Sequence, residues 1–205
     1  MGLYSDHILP RGIDWVMGKA PFAEQRARIV PRLSGRVLEV GFGSGLNLPF
    51  YGEHVTQLFA LDPASLGRKL ARRRLEASSL PVEFVELAGN EYRLDSGSVD
   101  AVLSTWTMCT IPDLAAALAE IRRVLVPGGE LYFLEHGLSR QPGVARWQRR
   151  LTPVQRLWAG GCRLDVDHQR ALANSGYQID ELEQFVMKPG GALAGSIYMG
   201  RARPT

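Results

Sequence analysis

Two cysteines in 205 residues, Cys109 and Cys162, are too few and too far apart for a disulfide scaffold or a metal-ligand spacing. No disulfide is required, and no metal is expected. No apolar run approaches the roughly 20 residues that cross a bilayer. The opening MGLYSDHILP has no signal-peptide core and places Asp6 where N-myristoylation needs Ser or Thr. A cytoplasmic protein is the expectation. Charge of one sign is also scarce, with a net charge of +3. No nucleic-acid partner is expected, because the RKLARRR run at 68–74 has no interleaved aromatics and reads as a solvated helix face. With no repeat, low-complexity tract or linker, the chain reads as one domain, 1–205.

Against that background, residues 36–45, RVLEVGFGSG, are the stretch around which the chain is organised. Val37, Leu38 and Val40 suit a buried parallel strand, which breaks into Gly41, Gly43 and Gly45. Such glycines permit positive φ and let a ligand approach the backbone. Residues 46–51 read as a first helical turn whose N–H groups face the loop. A second strand, 57–61, ends at Asp62, placed as the acid that binds ribose hydroxyls in nucleotide-binding βαβ units. The dinucleotide fingerprint would need glycine at position 46, where this chain has Leu46. Glu39, at the end of a buried strand, needs a cation or an amine to offset its burial.

The remaining pattern alternates strands and helices. Helices are expected over 6–17, 21–33, 65–77 with Ser65 as N-cap, 113–124 and 165–174, and strands over 82–87, 99–105, 130–136, 177–187 and 194–201. Pro127, Gly128 and Gly129 stop the helix over 113–124. Arg26 and Arg28 mark the polar face of the second helix. Residues 144–159 form a basic amphipathic segment, with Trp147, Leu151, Val154 and Trp158 against Arg146, Arg149, Arg150 and Arg156, kinked or broken at Pro153. It either caps a hydrophobic pocket or makes peripheral membrane contact.

From EVGFGSG and Asp62 the chain resembles the class I S-adenosylmethionine (SAM) methyltransferases. LAGNEYRLDSGSVD, LSTWTMCTI, IRRVLVPGG and LYFLEH resemble later motifs of the ubiquinone- and menaquinone-methyltransferase-like branch. The resemblance covers roughly residues 35–137. It implies an α/β, Rossmann-like three-layer sandwich, with a mostly parallel seven-stranded sheet and a C-terminal antiparallel hairpin. It also implies SAM as cofactor and S-adenosylhomocysteine as product, held by Glu39, Gly41, Gly43, Gly45, Asn47, Asp62, Pro63, Asn90, Glu91 and Thr105. The acid that relatives often carry beside adenine is replaced here by Ala88. Residues 1–34 would form a helical lid, bringing Tyr4, Asp6, His7 and Trp15 near substrate, or pack on the sheet edge. Residues 139–163 would be a cap insertion.

Methyl transfer from SAM needs alignment more than acid–base help. Cys109 therefore reads as a small buried residue, not a nucleophile. Where the acceptor must lose a proton, His136 is the candidate base, its other reading being a structural histidine. ILPRGIDW, GSGLNLPFY, LEHG and GGCRLDVD are similar to segments of alkyl-thiol methyltransferases. That similarity implies a small apolar acceptor, with a thiolate favoured near arginines such as Arg163. The alternatives are a membrane-surface quinone or phospholipid methyltransferase, and a non-catalytic nucleotide-binding protein.

Overall fold

The computed structural model describes residues 9–63 and 65–205. Tyr4, Asp6 and His7, placed near substrate by the sequence, lie outside these residues, as does the side chain of Ser65. Strand β1 (Gly35–Val40) leads into the glycine loop, and β2 (Val55–Leu61) and β3 (Val82–Val85) follow. A two-stranded excursion, β4 (Leu87–Ala88) and β5 (Glu91–Tyr92), precedes β6 (Val99–Thr105) and β7 (Leu125–His136). The chain closes with β8 (Tyr177–Val186) and β9 (Ser196–Pro204). The main sheet runs β3-β2-β1-β6-β7-β9-β8, with β9 antiparallel to both β7 and β8. This is the seven-stranded sheet with a terminal hairpin that the sequence implies.

Strand alternation sends β1 residues to two separate cores. Leu38 and Val40 pack with Leu118, Ile121 and Leu172, from α4 (Leu114–Val124) and α6 (His168–Asn174). Val37 faces Ile29 of α2 (Ala20–Ile29) and Ala71 of α3 (Ser65–Glu76). The same alternation places Leu131 and Phe133 of β7 on one face and Tyr132 and Leu134 on the other. Helices thus cover both sides of a parallel centre, which is why these strands read as almost continuously apolar. The chain winds outward from β1 to β3, then crosses back to β6 on the other side of β1. Ligands of open α/β sheets lie at such a reversal, outside the carboxyl ends of the strands.

Several elements depart from their expected form. Residues 46–51 contain only a 3-10 turn, Leu48–Phe50, with Pro49 near its start, so no α-helix begins at the glycine loop. The helix that reaches the loop is α3, where a Cβ on Gly67 would stand 2.7 Å from the Gly43 carbonyl oxygen. Pro127, Gly128 and Gly129 lie inside β7 as a register shift, the pairing moving from Val99 with Leu125 to Ala101 with Glu130. Helix α5 (Pro142–Trp158) continues through Pro153 without a break. Asp167, two residues beyond the expected start, caps α6 by accepting from Arg170 N at 3.1 Å.

Candidate active site

The carboxyl ends of β1, β2 and β6 open into a cavity of about 550 Å³. Its walls include the glycine loop, Asp62, Pro63, Asn90, Trp106 and α1 (Leu9–Met17). The loop is held tightly. Gly41 has φ +80°, and a Cβ there would stand 2.0 Å from Thr107 Oγ1, so no other residue fits this approach of β1 to the end of β6. Asp62 Oδ2 accepts from the Gly43 N–H at 2.6 Å, which fixes the acid against the loop.

Beneath the loop is a buried polar group. Glu39, 1% exposed, accepts from Asn47 Nδ2 at 2.8 Å and from the Tyr51 hydroxyl at 2.6 Å. Asn47 Nδ2 also donates to Thr105 Oγ1 at 2.9 Å, tying β1, the loop and β6 together. Burial pushes the Glu39 carboxyl up to about 7, against the opposing pull of the two hydrogen bonds and of Arg26. Arg26 is itself buried and stands on the cavity wall, its guanidinium 4.8 Å over the Trp106 ring. Burial lowers it to about 10, so it remains a cation at neutral pH. Trp106 is the one non-glycine residue with positive φ among the described residues, at +51°. Strain of this kind is characteristic of ligand sites.

Most of the sequence-derived residues meet here. Glu39, Gly41, Gly43, Asn47, Asp62, Pro63, Asn90 and Thr105 line the cavity, and Gly45 packs behind it against Phe42 and Leu48. Glu91 does not belong to the wall, because β5 turns it out to solvent. His136 does not either. The last residue of β7 points behind the Trp106 segment, with Nδ1 3.8 Å from Cys162 Sγ, so the general-base reading is withdrawn. Arg163 reaches the Ile111 carbonyl at 3.3 Å and is absent from the wall. Among the described residues the cation on the wall is Arg26, which the sequence placed on the polar face of its helix. Of residues 139–163 only Gly160 touches the cavity, so α5 does not cover it. Helix α1 does form a wall, through Leu9, Pro10, Ile13, Asp14 and Met17. Asp14 fastens it by accepting from Ser44 Oγ at 2.6 Å and pairing with Arg74 at 3.0 Å. Trp15 of that helix is 68% exposed, under Lys19.

Fold and site together define a class I SAM-dependent methyltransferase domain. Residues 38–133 match the family model described as a methyltransferase domain. The chain is 35% identical over 147 residues to the human Thiol S-methyltransferase TMT1A, covering 69% of this chain and 59% of that protein. It is 28% identical over 182 residues to a phosphatidylethanolamine N-methyltransferase of Cereibacter sphaeroides, covering 87% of each. A SAM-dependent methyltransferase structure from Thermotoga maritima superposes with a TM-score of 0.69 at 18% identity, covering 98% of this chain and 100% of that one. The chain therefore spans about three-fifths of the length of the thiol S-methyltransferase it matches.

SAM is the cofactor of this domain, and the residues present fit it. The glycine loop leaves backbone open to a ligand, since a Cβ on Gly43 would meet nothing nearer than 3.9 Å. Asp62 stands at the end of β2 beside that opening.

Proposed function

We propose that the chain transfers the methyl group of SAM to a small apolar acceptor, with a thiol favoured. The observation that carries this reading is the composition of the cavity wall away from the glycine loop. Leu9, Pro10, Ile13, Met17, Ile111 and Ala117 are apolar, and among the described residues no histidine, lysine or cysteine stands on the wall. The carboxyls described there are those of Asp14, Glu39, Asp62 and Asp113, and the first three are already hydrogen-bonded within the fold. A thiol needs little help, because a few per cent of it is thiolate at neutral pH. Arg26 supplies a buried positive charge on the wall that favours the thiolate.

Bound SAM supplies a methyl group on a sulfonium, ready for in-line displacement. Asp62 would hold the ribose hydroxyls, the 41–45 loop the methionyl part, and Asn90 the adenine edge. Helix α1 would exclude water and press the acceptor toward the loop, acting as a lid fastened by Asp14. Positioning of this kind is worth on the order of 7–11 kcal/mol of barrier.

The test is a panel of small alkyl and aryl thiols, with matched alcohols and amines, incubated with protein and SAM. Methyl thioethers are expected, with a rate that rises with pH through each thiol's own ionisation. Methylated amines or alcohols, or no methylated thiol, would sink the thiol reading.

One observation favours a second reading, methyl transfer at a membrane surface to a quinone or phospholipid. Helix α5 exposes Trp147, Val154, Leu157 and Trp158 at 54%, 55%, 78% and 65%, among the exposed Arg146, Arg149, Arg150 and Arg156. Such a face suits the interface of an anionic bilayer.

A further inference from the structure

Cys109 and Cys162, separated by 53 positions, are brought together behind the Trp106 wall of the cavity, and His136 joins them. The two sulfurs are 3.5 Å apart, and His136 Nδ1 is 3.8 Å from Cys162 Sγ. All three potential ligand atoms lie within 4.8 Å of one another. Cys109 and His136 are buried, while Cys162 is partly open to solvent, which gives an ion a path of entry. Both cysteines are free. The other ring nitrogen of His136, Nε2, has no partner among the described residues, so no second bond turns the ring away from the sulfurs.

These spacings are those of a tetrahedral ion's ligand shell. With zinc–sulfur bonds of about 2.3 Å and zinc–nitrogen bonds of about 2.0–2.1 Å, tetrahedral angles place two sulfurs about 3.8 Å apart and a sulfur and a nitrogen about 3.6 Å apart. Small side-chain adjustments bring the observed separations to those values. Two thiolates and a neutral imidazole are a soft donor set that suits zinc over magnesium or calcium. They also neutralise a divalent charge, which a buried site requires.

We propose that Cys109 Sγ, Cys162 Sγ and a ring nitrogen of His136 form a three-ligand site for zinc, with water completing the tetrahedron. The ligands come from the segment after β6, the last residue of β7 and the segment after α5. An ion here joins the segment beyond α5 to the carboxyl edge of the sheet, reinforcing the backbone bonds from Arg163 N to the Cys109 carbonyl, 3.0 Å, and from Leu138 N to the Val166 carbonyl, 2.8 Å. The site does not depend on which acceptor is methylated.

The experiment begins with reduced full-length protein loaded with zinc and freed of excess metal. About one zinc per chain is expected in the wild type, and less than about a tenth of that in Cys109→Ser/Cys162→Ser. Cobalt in place of zinc should give sulfur-to-metal charge-transfer bands and the visible bands of a tetrahedral site. Zinc should also slow alkylation of both cysteines at least tenfold. The cobalt and alkylation readouts use only the wild type, so they decide the matter even if the variant does not fold. Absence of sulfur-to-cobalt bands, alkylation rates unchanged by zinc, or equal metal content in wild type and folded variant would overturn the proposal. So would isolation of a Cys109–Cys162 disulfide that persists under reducing conditions with zinc present.

Discussion

Glu39 shows how a single residue can be read correctly in position and incompletely in role. Its place at the end of a buried strand marks it as costly to leave unpaired. The structure answers with Asn47, Tyr51 and Arg26, not with one opposing cation. Asn47 and Tyr51 follow within twelve positions, yet no spacing rule points a tyrosine back at a strand-end carboxylate. Arg26 carried no signal either, because an arginine on an amphipathic helix is usually solvated. A testable consequence comes from the raised carboxyl. In the unfolded chain Glu39 releases its proton near 4.5, while in the fold it holds the proton up to about 7. Its contribution is therefore fully present below about 4.5 and is lost as pH rises through about 7, by on the order of 3 kcal/mol at most. Glu39→Gln should lose this pH-dependent part, so its stability relative to wild type should improve from pH 5 to pH 8. Urea denaturation of both proteins at the two pH values checks this; a constant difference would show that Glu39 does not titrate across the window.

Elements were legible where periodicity and burial agree. β1, β6 and α4 fall within a residue or two of their sequence limits, since each has an uninterrupted apolar pattern and α4 has Asp113 as its cap. The departures lie at proline and glycine, where the sequence predicts a kink or break at Pro153 and a strand starting only after Gly129. Pro153 lies inside α5, and the 127–129 segment inside β7, because neighbouring turns and strands carry the chain across each missing bond. Of the two readings of helix α5, the pocket cap loses its support, since no residue of the helix stands on the cavity wall. It packs instead on the helical turn Gly191–Ala194, with Gln148 Nε2 donating to the Leu193 carbonyl at 2.8 Å and to that of Gly137 at 3.1 Å. Its tryptophans are left outward. We expect the wild type to sediment with vesicles rich in anionic lipid and Trp147→Ala/Trp158→Ala to sediment at least tenfold less, with an unchanged circular dichroism spectrum. Binding is expected to weaken with salt, since part of it comes from the arginines. Equal recovery of the two proteins in the pellet would remove the membrane-surface reading.

At the scale of the molecule, the sequence carried the topology further than the acceptor side of the site. Alternating strands and helices, a glycine loop after the first strand and an acid after the second constrain the sheet order and the ligand edge. The acceptor side is assembled from α1, α2 and the Trp106 segment, which are distant in sequence and share no motif, so only the fold brings Asp14, Arg26 and Trp106 together. The His136–Cys162 contact is of the same kind, a product of β7 and the segment after α5 ending beside one another. Because one cavity touches β1, β2, β6 and α1, its ligand should stabilise the whole domain. At about 100 times its dissociation constant a ligand adds roughly 2.7 kcal/mol, which for a chain of this size raises the unfolding midpoint by about 5–10 °C. SAM and S-adenosylhomocysteine should both produce this shift and NAD should not, because Leu46 stands where the dinucleotide fingerprint needs glycine. Asp62→Ala should reduce the shift severalfold, measured against the variant's own free midpoint, which loss of the bond from Gly43 N–H should lower by a few degrees. A shift with NAD alone would reassign the glycine loop to a dinucleotide. A full SAM shift retained in Asp62→Ala would remove that carboxylate from ribose binding and leave the loop backbone as the dominant contact.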